Sequence, residues 1–449
     1  MQWNLETLVL FVFFMTMIMI FWRPQNINEA IPASAGAMII LLFGGISLAD
    51  LTEIFSKVAE ASLTIIATIV MAIVLESFRF FQWCAHQLAY RANGSGIRLF
   101  WYTNLLCFLM TILFNNDGSI LITTPILIIL LHHLHLKHHE KIPYLISGAL
   151  VATASSAAVG VSNIVNLISL KMIEMDLYEH TAMMFIPAFI GLLFMVILLF
   201  LLFYKDIPKN IKKLAKNEDV FIQHYHPLKS KLPADVIKKQ SAFMLKMLLF
   251  VILVRISLFL ASFFEIPIWL VAILGSIVLL TVRWKKFSLS PIDVLIKAPW
   301  FVFLFAFSMY IIVYSLKNIG FVAFFVDLLK PFMEEEASAI FWTGSVLSAL
   351  SNVFNNHPAL MIGTMVLTNA GLNDMMLKTA YLASIIGSDI GSLILPIGTL
   401  ATLIWMHILK ENGVKISWAK YMNVTMIVIP PTLFFTLTVL YVWIQFLFI

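Results

Sequence analysis

Ten apolar stretches run along the chain, near Leu5 to Trp22, Ile31 to Leu48, Ser62 to Trp83, Pro143 to Leu170, Thr181 to Tyr204, Ser241 to Phe263, Ile266 to Val282, Trp300 to Leu316, Tyr381 to Leu409 and Tyr421 to Phe448. Each reaches the length of about 17 residues or more that a helix needs to cross roughly 30 Å of hydrocarbon. The pattern predicts an all-α polytopic membrane protein.

Two more apolar regions are interrupted by polar tips. Leu99 to Phe114 and Ser119 to Leu131 flank Asn115-Asn116-Asp117-Gly118, and Ala339 to Phe354 and Ala359 to Leu367 flank Asn355-Asn356-His357-Pro358. These arms are short for spans and read as re-entrant hairpins. An unpaired backbone group in hydrocarbon costs several kcal/mol, so each tip must be buried in protein or line a wet cavity.

A long span interrupted by small residues follows each hairpin, Thr153 to Asn166 in the first half and Asp389 to Thr402 in the second. Gly160, and Pro396 with Gly398, mark the expected breaks; the competing reading is small residues that let helices pack closely. The order of elements repeats. It predicts two inverted repeats, each of five transmembrane helices plus a re-entrant hairpin, with broken helices at the site, over 1–204 and 241–449 around a Lys-rich linker at 205–240.

Composition and charge fix class and orientation. Of 449 residues, 61% are hydrophobic and 12% charged, about half the charged share of a soluble domain. Of the 29 Lys and Arg residues, 22 fall on one side if 205–240 is cytoplasmic, and five on the other, with the acidic patches Glu174 to Glu179 and Glu334 to Glu336. That asymmetry places both termini outside a multi-pass protein of the cell membrane. The net charge of +5 is distributed by loop, so nucleic acid is not an expected partner. The absence of Lys or Arg before Arg23 argues for a retained first helix over a secretory signal. Cys84 and Cys107 give neither a disulfide framework nor a thiolate metal site, and no cofactor is called for.

The candidate chemistry lies at the breaks. The second arm of each hairpin and the second half of each broken span begin there, so four helix amino ends should converge on an oxyanion or polyhydroxyl solute. Asn115, Asn116, Ser162, Asn163, Asn355, Asn356 and Thr399 supply neutral donors and acceptors for substrate, or simply cap helices and turns. Asp117, Asp389 and His357 are the candidates for proton coupling, His357 alternatively being only a hairpin cap. Glu76 reads as a functional carboxylate or a solvated helix end, and Arg255, lacking an acidic partner at i±4, as a snorkelling cation. The run His132 to His139 reads as a solvated loop, with metal or pH sensing as the alternative.

The tip Phe114 to Ser119 with Thr124-Pro125-Ile126, the segment Val161 to Asn166, Ser308 to Tyr314, Asn355-Asn356 with Pro358, and Gly387 to Gly391 with Pro396 to Leu403 and His407 carry a resemblance. They resemble the arsenite efflux permeases of the ion transporter superfamily, almost end to end, including Ala298-Pro-Trp300 and Lys415 to Trp418. The resemblance implies a secondary carrier, not an enzyme, that expels arsenite and often antimonite in exchange for protons across a lipid membrane. In some members a soluble arsenite-stimulated ATPase drives it. The chain departs from the family pattern at Thr153, where an acid is usual, at Ser392-Leu393, where Pro-Lys is usual, and at Leu395 and His357, usually Thr and an apolar residue. Two other readings stand beside it: a related carrier of another small anion or of sodium against protons, with Ser351-Asn352 and Ser162-Asn163 echoing dicarboxylate carriers, and an intramembrane aspartyl protease using Asp117 and Asp389.

Overall fold

The computed structural model describes residues 4–23, 27–214 and 241–448. Every element in them is helical apart from one isolated bridge between Ser95 and Asn210. The first half comprises α1 (Leu5–Trp22), α2 (Ala30–Leu42), α3 (Leu48–Ser77), α4 (Phe80–Ala92), α5 (Gly96–Leu113), α6 (Asn116–His133), α7 (His138–Ala154), α8 (Ile164–Met172) and α9 (Leu177–Phe203). The second comprises α10 (Ser241–Phe263), α11 (Ile268–Phe287), α12 (Ile292–Lys297), α13 (Phe301–Asn318), α14 (Phe321–Leu329), α15 (Glu336–Phe354), α16 (Asn356–Asn369), α17 (Asp374–Asp389), α18 (Leu400–Glu411) and α19 (Trp418–Leu447). Among the described residues nine helical segments are long and apolar enough to cross a membrane. Their outward faces are apolar, as lipid requires, with Leu201 64% and Phe446 83% exposed.

The helix boundaries differ from the hydropathy pattern for local reasons. The run Ile31 to Leu48 contains a helix of only 13 residues, because Phe43-Gly44-Gly45 turns the chain, with Gly44 at φ 74°. The expected span from Ser62 is a 30-residue helix that begins at Leu48. Its start is fixed by a capping box in which Ser47 Oγ accepts from Asp50 N and Asp50 Oδ2 accepts from Ser47 N, each at 3.1 Å. Asp50, Glu53, Lys57 and Glu60 hide that first third from hydropathy. It ends at Ser77, where Arg79 takes a left-handed φ of 60°, rather than running to Trp83. The arms α5 and α15 reach 18 and 19 residues, so they are themselves long enough to span. The short helices α4 and α14, each just before a hairpin, gave no signal of their own.

The packing crosses between halves. The second hairpin arm α6 lies against α18, and its counterpart α16 lies against α8. Likewise α9 packs on α19, α3 on α11, and α13 on α2 and α3. Ring contact between Phe354 at the second tip and Phe13 midway along α1, centroids 5.5 Å apart, sets that tip near the middle of a span. The linker expected at 205–240 lies outside the described residues from 215 onward.

Candidate functional site

Both hairpins break over less chain than their polar tips suggest. In the first, α5 stops at Leu113 and α6 restarts at Asn116, capped by Asn115, whose Oδ1 accepts from Gly118 N at 2.6 Å. Asp117 and Gly118 are therefore in the first turn of α6. In the second, Asn355 alone separates α15 from α16, at φ 72°, with its Oδ1 accepting from His357 N at 3.4 Å. The α5 end is held by a residue that the sequence had assigned to snorkelling. Arg255 is 4% exposed, and its guanidinium donates to the carbonyls of Leu113, at 2.7 Å, and Phe114. A cation on the carboxyl end of a helix satisfies orphan carbonyls and opposes the negative dipole end, so Arg255 is a buried helix clamp.

Each broken span passes through two short 3₁₀ segments, Ser155–Ala158 with Gly160–Ser162 and Gly391–Ile394 with Pro396–Gly398. Unwound backbone at this depth needs side-chain partners. Around the second break Asn352 Nδ2 donates to Gly391 O and Asn352 Oδ1 accepts from Leu395 N, both at 2.8 Å. Tyr421 donates to Leu393 O at 3.0 Å, Thr425 to Ile394 O at 2.7 Å and Asn355 to Ile397 O at 3.3 Å. Thr399 caps α18, accepting from Thr402 N at 3.1 Å.

The two breaks meet at Asp389. This residue ends α17 in the second half with no exposed surface, and the first half surrounds its carboxylate. Ser156 Oγ donates to Oδ2 at 2.7 Å, Asn166 Nδ2 to Oδ2 at 2.7 Å and Asn163 Nδ2 to Oδ1 at 3.3 Å. Asn163 also caps α8 through Val165 N at 3.2 Å. One position earlier, Ser388 Oγ donates to Asn356 O at 3.5 Å, tying α17 to the start of α16. Asp117 lies within electrostatic range of Asp389 and of Glu29, whose own partner is Arg23 at 2.5 Å. The chain thus gathers the amino ends of α6, α8 and α16 near one buried carboxylate, with α18 tied in through Asn355 and Ile397.

Several polar atoms here have no protein partner among the described residues: Asn115 Nδ2, Asn116 Nδ2, Asn356 Nδ2, Asp117 Oδ1, Ser162 Oγ and Ser392 Oγ. A buried unsatisfied group costs about 1–3 kcal/mol, so their concentration at the tips and breaks makes this the candidate site for a polar solute. His357 is turned to its own hairpin, Nδ1 lying 3.0 Å from Asn356 Oδ1 and its ring edge-on to Phe305. Glu76, whose alternative reading is a solvated helix end, is 1% exposed and accepts from Gln82 at 2.8 Å. In the histidine run, His133 Nε2 meets Lys212 Nζ at 3.1 Å and His138 Nε2 meets Lys415 O at 3.2 Å, stitching loops together.

Sequence reasoning missed Ser156, Asn166 and Asn352 as site residues. Asn163 and Asn166, three apart at the start of α8, share a helix face, which is the signal that could have found the second from the first.

Residues 8–444 match the profile of the ArsB family, described as arsenical pump membrane protein. The chain belongs to the ArsB family. A Bacillus subtilis (strain 168) protein named for the same arsenical pumps is 57% identical over 97% of this chain and 99% of its own length. A Yersinia enterocolitica arsenical pump membrane protein is 30% identical over 96% of this chain and 97% of its own. The fold is shared with the Alcanivorax borkumensis YdaH transporter at a TM-score of 0.55 and 12% identity, covering 88% of this chain and 87% of that one. An ArsB-family protein is a membrane transporter, and the protease reading falls with that assignment. The geometry agrees, since Asp389 is held by three neutral donors and shares no hydrogen bond with Asp117.

Proposed function

We propose that this ArsB-family carrier extrudes arsenite, and antimonite, from the cytoplasm in exchange for protons. The observation that carries it is the buried carboxylate of Asp389, from one half, enclosed by Ser156, Asn163 and Asn166 from the other. Arsenous acid is a small neutral trihydroxy species near neutral pH. A lining of amides and hydroxyls complements it, and a single ionisable group beside it can exchange a proton as the solute comes and goes. The unpartnered amides of Asn115, Asn116 and Asn356 and the Ser162 hydroxyl are the groups proposed to receive its hydroxyls. Asp117 is the second carboxylate of the site.

The two halves are proposed to run in opposite directions through the membrane, with 205–240 cytoplasmic. The matching order of their helices, with α12 and α13 standing where the first half has the single α3, and the crossed packing of α6 on α18 and α16 on α8 support this. Cysteines replacing the exposed Lys209 and Glu335 should react from opposite sides, Lys209→Cys from the cytoplasm; labelling from one side would defeat the arrangement.

The functional test is expression in an arsenite-hypersensitive cell with arsenic retention measured with and without a protonophore. Low retention that rises with the protonophore is expected. Retention indifferent to arsenite, with transport of another anion or of sodium, would replace this reading by that of a related carrier.

A further inference from the structure

His180 is fully buried on α9, one turn from its start, and the exchange described above has no task for it. Its ring lies against the Ala157 carbonyl of the first break, yet neither ring nitrogen meets a partner in hydrogen-bond geometry among the described residues. Its centroid is 6.4 Å from that of Tyr381 on α17. The Tyr381 hydroxyl donates to Asn166 O at 2.9 Å, and the amide of the same Asn166 holds Asp389. On one side, then, His180 is a single residue removed from the shell of the buried carboxylate.

On the other side it neighbours side chains that line a cavity. A Cβ on Gly160 would lie 3.4 Å from His180 Cδ2, 2.6 Å from Leu170 Cδ1 and 3.5 Å from Leu177 Cδ1, so these three side chains share one patch. Leu170 and Leu177 also line a cavity of about 380 Å³ that holds the carboxylates of Glu60, Glu174, Asp176 and Glu265. Its one cation, Lys171, is paired with Glu60 at 2.8 Å. Leu170 and Leu177 thus border both the acidic cavity and the patch at Gly160 that holds the buried imidazole.

We propose that His180 relays protons between this cavity and Asp389. The inference rests on the proton-exchange reading and names the route by which the proton arrives. As the two leucines move aside, hydronium from the cavity gives a proton to one ring nitrogen and leaves as water; the other nitrogen releases its proton, through the Tyr381 hydroxyl or an intervening water, to the Asp389 carboxylate. One hydronium O–H bond breaks as one N–H bond forms, one N–H bond breaks as the Asp389 O–H bond forms, and the imidazole returns neutral. Of the elements packed on α9, α17 brings Tyr381 and, one turn away, Lys378, which is paired with Glu179 and Asp374 at 2.8 Å each. α10 brings Arg255, engaged with the α5 carbonyls; α7 carries Glu140 and Lys141 at its far end; α19 meets this end of α9 through Trp443, whose indole donates to Ala182 O at 3.3 Å. The 3₁₀ segments bring only the Ala157 carbonyl and Gly160.

The test uses everted membrane vesicles, in which the outer face is lumenal, and compares two fluxes. One is arsenite uptake driven by an imposed acid-inside pH step; the other is arsenite counterflow, which needs no net proton movement. His180→Gln should lower driven uptake roughly tenfold at a near-neutral lumen, with recovery as the lumen is acidified, and leave counterflow unchanged. Tyr381→Phe should act in the same direction more weakly, and it carries the test if the glutamine variant fails to insert. Driven uptake at the wild-type level in the variants, or counterflow that falls in step with it at every pH, overturns the relay. Absence of counterflow in the wild-type protein would instead sink the arsenite reading.

Discussion

The second broken span keeps its free backbone groups within its own half: Asn352, Asn355, Tyr421 and Thr425 answer Gly391, Leu393, Ile394, Leu395 and Ile397. The first does the reverse. Its Ser156, Asn163 and Asn166 side chains are committed to a carboxylate from the other half, while Ser162 Oγ and Asn166 Oδ1 have no partner among the described residues. The same order of small residues, 3₁₀ turns and caps thus produces one fastened break and one responsive break. Asp389 opens the second broken span but turns its carboxylate to the first, so under the proposed proton exchange a change of charge there would be met by Ser156, Asn163 and Asn166.

The sharpest way to break the comparison is to add a methyl group to each. A Cβ on Gly398 would sit 1.9 Å from the Ser392 carbonyl oxygen, a backbone atom that cannot step aside, whereas on Gly160 it meets the movable end of Leu170 at 2.6 Å. Gly398→Ala should abolish recovery of folded carrier, while Gly160→Ala should cost about 1 kcal/mol. Size-exclusion profiles and melting curves in detergent measure both; equal tolerance would mean that the second break is no stiffer than the first.

Next comes the charge. Asp389→Asn keeps the shape of the side chain but fixes its charge, and should reduce protonophore-sensitive arsenite extrusion about a hundredfold with membrane insertion intact. Undiminished extrusion would make Asp389 a structural cap.

Asn352→Leu should destabilise by about 3 kcal/mol, because Gly391 O and Leu395 N are left buried and unpaired together. Asn166→Leu should cost less in stability and more in transport, since Asp389 keeps Ser156 and Asn163. A melt and a flux assay on each variant sort the two breaks, and a reversed order would overturn the assignment.

The sequence made the fold legible wherever a single residue type decides a local event. Gly160, Pro396 and Gly398 stand where helices must unwind, and Asn115, Asn163, Asn355 and Thr399 where they restart. It was blind where polarity and secondary structure part company. Asp50, Glu53, Lys57 and Glu60 concealed the first third of α3, and the apolar run through Phe43 concealed the end of α2. Long-range pairings were beyond it. Nothing local to Arg255 announces the carbonyls of Leu113 and Phe114, and nothing near Asp389 announces Ser156, 233 residues earlier.

The smallest expected effect is the most discriminating between a packing residue and a ligand residue. Ser162 is fully buried in the responsive break, with a hydroxyl that no group among the described residues answers. Ordinary core hydroxyls are stabilising, so replacing one costs about 1 kcal/mol; an unanswered one is a standing desolvation penalty, and its removal should leave stability unchanged or raise it by up to about 1 kcal/mol. If that hydroxyl faces the solute, Ser162→Ala should at the same time raise the KM for arsenite a few-fold, with little change in the maximal rate, because uniform binding is lost and the proton path is not. Stability up and affinity down is the signature of a group kept for its ligand. A destabilised variant with unchanged KM would show that Ser162 serves the fold of the break.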